Sequence, residues 1–91
     1  MDKRLLESFV AVYRSGSLVE AAERLNISQS ALSRRITELQ HRLGLPLFEP
    51  SGRGMAATTD AHDLLPLASS ALEGIARLEA AARASSVQPA V

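Results

Sequence analysis

The sequence contains no cysteine and no tryptophan, and its only aromatic residues are Phe9, Tyr13 and Phe48. Without cysteine there is neither a disulfide framework nor a thiolate metal site, so the fold must hold by packing. Three aromatics are too few for the stacking platform on which single-stranded nucleic acid is bound. No apolar run reaches the length of a membrane span. Met1-Asp2-Lys3-Arg4 leads directly into an amphipathic pattern, without the uninterrupted apolar stretch of a signal peptide. A cytoplasmic location without a membrane partner is expected. An excess of charge is also missing: 10 Lys and Arg balance 10 Asp and Glu. That balance argues against a strongly basic nucleic-acid binder.

The distribution of charge says more than the total. Between Arg24 and Arg42 the charges are Arg24, Arg34, Arg35 and Arg42 against Glu38 alone, while acidic residues cluster elsewhere. A locally basic helix on a neutral chain suits binding tuned by geometry more than by bulk attraction. With 91 residues, 46% of them hydrophobic, the chain is one small domain or a small domain with an extension. Domains of this size are often marginal, and burying a further face against a second copy is a common remedy.

Apolar residues at Leu5, Leu6, Phe9, Val10, Val12 and Tyr13 have helical spacing, with Asp2 as a cap and Ser15-Gly16 as a stop. Ser17 caps a second helix, and Glu20 three residues on completes a capping box. Its core face is Leu18, Ala21, Ala22 and Leu25, the two alanines allowing close approach of a neighbouring helix. Asn26-Ile27-Ser28 makes a turn, since Asn tolerates the left-handed conformation and Ser28 can cap the next helix. Ile27 is expected to tuck between the helices. The third helix is predicted from about Gln29 to Leu43, ended by Gly44. Leu32, Ile36, Leu39 and Leu43 form its buried stripe. Ser30, Arg34, Thr37 and His41, flanked by Ser33 and Glu38, form an opposite polar face free to meet a ligand. Two short helices joined by a tight polar turn, the second opening with small polar residues and then arginines, have the layout of a helix-turn-helix that enters the DNA major groove.

Downstream, 45–50 reads as a short strand with Leu47 or Phe48 pinned in the core, Ser51-Gly52-Arg53-Gly54 as a turn, and 55–58 as the return strand of a small wing. A fourth helix is predicted from about Thr59 to Ala84. Leu64, Ala68, Ala71, Ile75, Leu78 and Ala82 form a seam along it, which Leu65 and Leu72 widen toward the body of the domain. Pro66 should bend this helix by removing one backbone hydrogen bond. The seam is longer than so small a body can cover, so dimerisation through Leu64, Ala68, Ala71, Leu72, Ile75, Leu78 and Ala82 is expected. Residues 85–91 read as a linker or frayed tail.

These elements resemble the LysR-type bacterial transcriptional regulators. The matching residues are Leu5-Leu6-x-x-Phe9-Val10-Ala11-Val12, Gly16-Ser17, Ala21-Ala22-Glu23-Arg24-Leu25, Ser28-Gln29-Ser30-Ala31-Leu32-Ser33, Leu43-Gly44, Leu47-Phe48-Glu49 and Gly52-Arg53-Gly54. The resemblance covers roughly residues 1–84 in order and spacing. It implies a mainly α fold: a winged helix-turn-helix of a three-helix body and a small β wing (1–58), then a long linker and dimerisation helix (59–84). In the family a larger effector-binding domain comes next, so a small-molecule effector would act only through a region absent from these 91 residues. Three positions depart from the family pattern. Pro50 stands where an arginine usually follows Leu-Phe-Glu. The usual Leu-Thr reads Ala57-Thr58 or Thr58-Thr59. The glycine near the linker-helix start is replaced by Ala61 or His62.

Within this frame the candidate DNA contacts are Ser17, Ser28, Gln29, Ser30, Ser33, Arg34, Arg35, Thr37 and Arg53. The Gln29 amide matches the donor and acceptor of an adenine edge. Ser30 and Ser33 are small enough for close approach to phosphate or base. Arg34 points outward toward phosphate or a guanine edge. Arg35 lies on the flank, where it either pairs within the chain or reaches a phosphate. Arg53, between two glycines, suits a narrow minor groove. Ser17 and Ser28 cap helices first and can also offer donors to phosphate. His62 with Asp60 and Asp63 supplies too few ligands for a metal site, and no nucleophile motif or Gly-rich phosphate loop accompanies it. Neither an enzyme nor a cofactor is expected. The rival readings are an interaction module on a helix-turn-helix scaffold that does not touch DNA, and a dimerising fragment that titrates longer regulators.

Overall fold

The computed structural model describes residues 1–87. Four helices and one hairpin are arranged in the order α1 (Lys3–Ser15), α2 (Leu18–Leu25), α3 (Gln29–Leu43), β1 (Phe48–Ser51), β2 (Gly54–Ala57) and α4 (Thr59–Val87).

The first three helices start where short polar side chains replace missing backbone partners. The Asp2 carboxylate accepts the Arg4 amide at 2.9 Å, Ser28 Oγ accepts that of Ala31 at 3.1 Å, and Ser17 Oγ accepts that of Glu20 at 3.4 Å. Each cap satisfies one of the four amides that a helix start leaves open; a serine in this role contributes about 1 kcal/mol. The chain then reverses at Asn26, the one described non-glycine residue with a positive φ, 56°. That conformation lets the Ile27 amide return to the Ala22 carbonyl at 3.1 Å, closing α2 so that α3 can start at once.

The core gathers Leu5, Phe9 and Val12 of α1, Ala21 and Ala22 of α2, Leu32, Ile36 and Leu39 of α3, Leu47 and Phe48, and Ala61 and Ala68 of α4. Phe9 is its centre, meeting Tyr13 and Phe48 edge-on with ring centroids 6.3 and 5.7 Å away. Both Leu47 and Phe48 are buried, where the sequence suggests one of the two. The strand begins only at Phe48, so Leu47 lies outside the in-and-out alternation and also turns inward. Ile27 is half-buried against this cluster, a partial version of the expected insertion.

The wing is shorter than expected. β1 covers Phe48–Ser51 and β2 covers Gly54–Ala57, because Pro46 lies in the approach and Thr58 is used elsewhere. Gly52, with φ 57°, takes the first central position of a two-residue turn, where a glycine-first hairpin turn requires it. The antiparallel register pairs Ser51 with Gly54 and Pro50 with Met55. Ladder bonds alternate outward from the tight turn, so Pro50 falls at a non-bonded pair and its missing N–H costs the hairpin nothing.

Thr58 is the joint between wing and α4. Its hydroxyl donates to the Pro46 carbonyl at 2.8 Å and accepts the Ala61 amide at 3.1 Å, and its own amide donates to Leu47 at 2.9 Å. From there α4 runs through Pro66 and extends past the expected end at Ala84 to Val87. Residues 85–87 are therefore helical, not tail; serine lowers helix stability by only about 0.5 kcal/mol and does not stop one. The rest of the expected tail, 88–91, lies outside the described residues.

Candidate nucleic-acid interface

The apolar stripe of α3 is turned inward at Leu32, Ile36 and Leu39, which leaves the other side of the helix to solvent. Ser30, Ser33, Arg34, Thr37, Glu38 and His41 are on that side, each exposed or half-exposed. Gln29 is the first residue of the helix and also exposed, held beside the Ser28 cap. Ser28 Oγ lies 3.3 Å from Ser30 Oγ, so the two hydroxyls at this helix start form one polar pair. Among the described residues neither Arg34 nor Arg53 has an ion pair or hydrogen bond, whereas Arg42 is paired with Glu38 at 3.8 Å. Both guanidiniums are free to meet an outside anion.

Arg35 stands apart from this face. It is half-buried, and its positive charge is among the influences that hold the Asp2 carboxyl below its ordinary pKa, after the larger effects of the Arg4 amide and side chain. Among the described residues Arg35 makes no ion pair with an acidic side chain, so the internal salt bridge, one of its two alternatives, does not form.

The wing brings a third candidate to the same surface. Ser17 at the start of α2, Gln29 at the start of α3 and Arg53 at the wing tip line one cleft of about 140 Å³, with Leu18, Val19, Gly54 and Met55 as its other walls. These residues are up to 36 positions apart (53 − 17) in sequence. A backbone bond seats the wing here: the Met55 amide donates to the Gly16 carbonyl at 3.1 Å. Gly54 lies directly over that carbonyl, and a Cβ on it would come within 2.6 Å of the oxygen.

Two residues that matter for this assembly are not among the sequence-predicted contacts. Gln40, on the half-buried edge of α3, accepts the Leu47 and Phe48 amides through Oε1 at 2.8 and 3.2 Å. Thr58 ties the far end of the wing to the same segment. Thr58 stands at the cap position of α4, a signal readable from the predicted helix start; the Gln40 contact crosses the helix end at Gly44, beyond which helical spacing no longer relates residues.

Along α4 the expected seam divides. Ala68 is only 7% exposed, and Leu64, Leu65 and Leu72 pack on the protein's own core. Ala71, Leu78 and Ala82 are exposed and Ile75 is half-buried. An open apolar cleft of about 360 Å³ runs between Leu6 and Phe9 of α1, Leu39 and Leu43 of α3, and Leu64, Leu67, Ala68, Ala71 and Ile75 of α4. Leu67 and Leu78 are 67% and 69% exposed beside and beyond it.

Among the described residues no group of three or more His, Cys, Asp or Glu side chains is placed to hold a metal. His62 instead takes a hydrogen bond with the Tyr13 hydroxyl at 2.6 Å, pinning the start of α4 to the end of α1. No helix among the described residues is long and apolar enough to cross a membrane.

The sequence pattern of the bacterial regulatory helix-turn-helix proteins of the lysR family matches residues 4–62. The chain is 38% identical over 78 residues to the HTH-type transcriptional regulator AbaB of Streptomyces antibioticus, covering 86% of this chain and 26% of that protein. It is 41% identical to the HTH-type transcriptional regulator BudR of Klebsiella aerogenes, covering 85% of this chain and 61% of BudR. The chain thus spans less than two thirds of either relative. Among solved structures, it matches the CbnR DNA-binding domain in complex with DNA at a TM-score of 0.88 and 36% identity, covering 94% of this chain and 99% of that one. The BenM DNA-binding domain in complex with catB site 1 DNA matches at a TM-score of 0.90 and 30% identity, covering 98% and 100%. The helix order and the wing thus recur in proteins that align along nearly the whole of this chain, which belongs to the lysR family of bacterial regulatory helix-turn-helix proteins and is similar throughout to their winged helix-turn-helix DNA-binding domains.

Proposed function

We propose that the chain binds duplex DNA sequence-specifically, as the DNA-binding part of a dimeric cytoplasmic LysR-type transcriptional regulator. The observation that carries this reading is the gathering of Ser17, Gln29 and Arg53 around one cleft beside the exposed face of α3. A helix face with unpaired Arg34 and small hydroxyls can enter a major groove while a wing tip with unpaired Arg53 reaches the next minor groove. In this arrangement Gln29 reads a base edge, and Ser30, Ser33 and Thr37 approach bases or phosphates closely. Arg34 contacts phosphate or guanine, and the capped helix starts at Ser17 and Ser28 face the backbone. Arg53 senses groove width. That two similar domains are solved in complex with DNA supports DNA binding by this fold.

The unfilled apolar cleft along α4 supports a homodimer in which Ala71, Ile75, Leu78 and Ala82 of two copies meet, with Leu64, Ala68 and Leu72 forming the wall behind them. Two-fold pairing would present two recognition helices to a partly symmetric site. An effector would act through a region outside these residues.

The test is titration of the chain against the duplex upstream of its own gene and a scrambled duplex, at several salt concentrations. Tight binding to the first alone, falling steeply with salt, is expected, the slope reporting the number of phosphate contacts. Equally feeble binding to both would overturn the reading of this domain as a sequence-specific reader.

A further inference from the structure

The segment that leads from α3 into the wing hangs on one side chain. The Gln40 carbonyl accepts the Gly44 amide at 2.8 Å and the Leu45 amide at 3.2 Å, as a helix end commonly does. Its side-chain oxygen accepts the next two available amides, those of Leu47 at 2.8 Å and Phe48 at 3.2 Å. Between them lies Pro46, which has no N–H. One residue of the recognition helix therefore takes the amide of every residue from 44 to 48 that has one. Thr58 holds the opposite side of the same segment through the Pro46 and Leu47 carbonyls.

We infer that Gln40 is a positioning residue for DNA recognition, fixing the wing relative to the recognition helix so that Gln29 and Arg53 are presented at a set separation. The joint is geometric. Oε1 is one oxygen with two acceptor sites, and both are used by consecutive strand-entry amides. A side chain without that oxygen leaves two half-buried donors open and frees the direction in which β1 leaves the helix. Gln40 itself faces the wing root and not the DNA side, so its effect on binding passes through Arg53. That DNA arm of the inference rests on the placement of Arg53 proposed above; the positional arm does not.

The absence of native thiols allows the positional arm to be measured directly, with spin labels on His41→Cys and Arg53→Cys. A narrow distance distribution is expected in the Gln40 chain and in Gln40→Glu, whose carboxylate can accept the same two amides. Gln40→Met, similar in length but without an acceptor, should broaden it, with the helical circular dichroism retained. An unchanged distribution in Gln40→Met overturns the inference. So does fast hydrogen exchange of the Leu47 and Phe48 amides in the unsubstituted chain, a reading that needs no variant to fold. In DNA titrations, Arg53→Ala should weaken binding about tenfold in the Gln40 background, the size of one lost contact. It should weaken it less than about twofold in Gln40→Met. Equal losses in both backgrounds would reduce Gln40 to a stability residue. No loss in the Gln40 background would defeat the wing as a DNA contact, while the label distances still decide the role of Gln40.

Discussion

The Gly54 Cα sits against the Gly16 carbonyl so closely that the smallest side chain on Gly54 would meet the oxygen at 2.6 Å. The backbone of the turn between α1 and α2 and that of the turn end of β2 therefore touch here, and the adjacent Met55 amide bonds the same oxygen. Gly54→Ala should push the wing off this seat, destabilising the domain by about 1–3 kcal/mol as small overpacking substitutions do. Thermal unfolding measures the loss. An unchanged midpoint would mean that the wing is not clamped to the turn.

Base reading and backbone grip should separate between two residues of α3. Gln29→Ala is expected to relax preference at one base pair of each half-site, at a cost of about 1–3 kcal/mol for the preferred base. Arg34→Ala should weaken binding broadly across sequences and flatten the salt dependence. Binding to a library of duplexes with single base changes distinguishes the two; unaltered preference in both variants would move the reading face elsewhere.

The exposed apolar residues of α4 give a prediction for assembly. Leu78 lies beyond the body of the domain, so Leu78→Lys should leave the fold intact and shift sedimentation from dimer to monomer. Ala71→Glu, at the open edge of the cleft between α1 and α4, should do the same. If both variants sediment like the original chain, α4 does not carry the association.

Phe9 contacts two other rings and is buried at the centre of a core supplied by every helix. Phe9→Ala should remove about 3–5 kcal/mol. For a domain of this size, total stability is about 5–15 kcal/mol, so the variant should approach the unfolding threshold. Urea denaturation tests this, and a loss below about 1 kcal/mol would contradict the central place given to this ring.

The Asp2 cap predicts a response to acid. The Arg4 amide, and then the Arg4 side chain, hold the Asp2 carboxyl below its ordinary value of 3.8 in the folded chain. A depressed folded pKa means that the unfolded chain takes up the proton first. The cap's contribution is therefore complete above the ordinary value and is lost as pH falls through the lower, folded one. Melting curves of the original chain and Asp2→Ala should differ by a constant amount near neutrality and converge at strongly acid pH. A difference that persists there would assign the stabilisation to something other than the ionised carboxylate.

The features legible in the sequence are those written within a few residues. Asp2, Ser17 and Ser28 cap the helices that the apolar spacing predicts, and Gly16, Asn26 and Gly44 end them. The polar face of α3 comes from the same spacing, because placing Leu32, Ile36 and Leu39 inside leaves Ser30, Arg34 and Thr37 outside. Only the Ser17 half of the expected capping box forms among the hydrogen bonds of the described residues; the Glu20 amide contributes, not its carboxylate. The joints between elements are not legible. Gln40 reaches past a turn, Thr58 bonds a segment eleven and twelve residues upstream, and Tyr13 meets His62 across 49 positions. Such contacts depend on where packing puts two elements, which local periodicity does not encode. The end of α4 is hidden for the opposite reason: serines at 85 and 86 resemble a linker in composition, yet nothing in them opposes a helix that already exists.

A two-stranded sheet normally leaves open edges that invite another strand, and two such wings brought near each other on one stretch of DNA would be a hazard. Here the outer edge of β1 has no free amide to offer. Of its outward-facing amides, that of Phe48 is taken by Gln40, and Pro50 has none. On the other strand, the Met55 amide is already committed to Gly16. Pro50 thus removes one of the amides that an added strand would need on this edge, and Gln40 occupies the other.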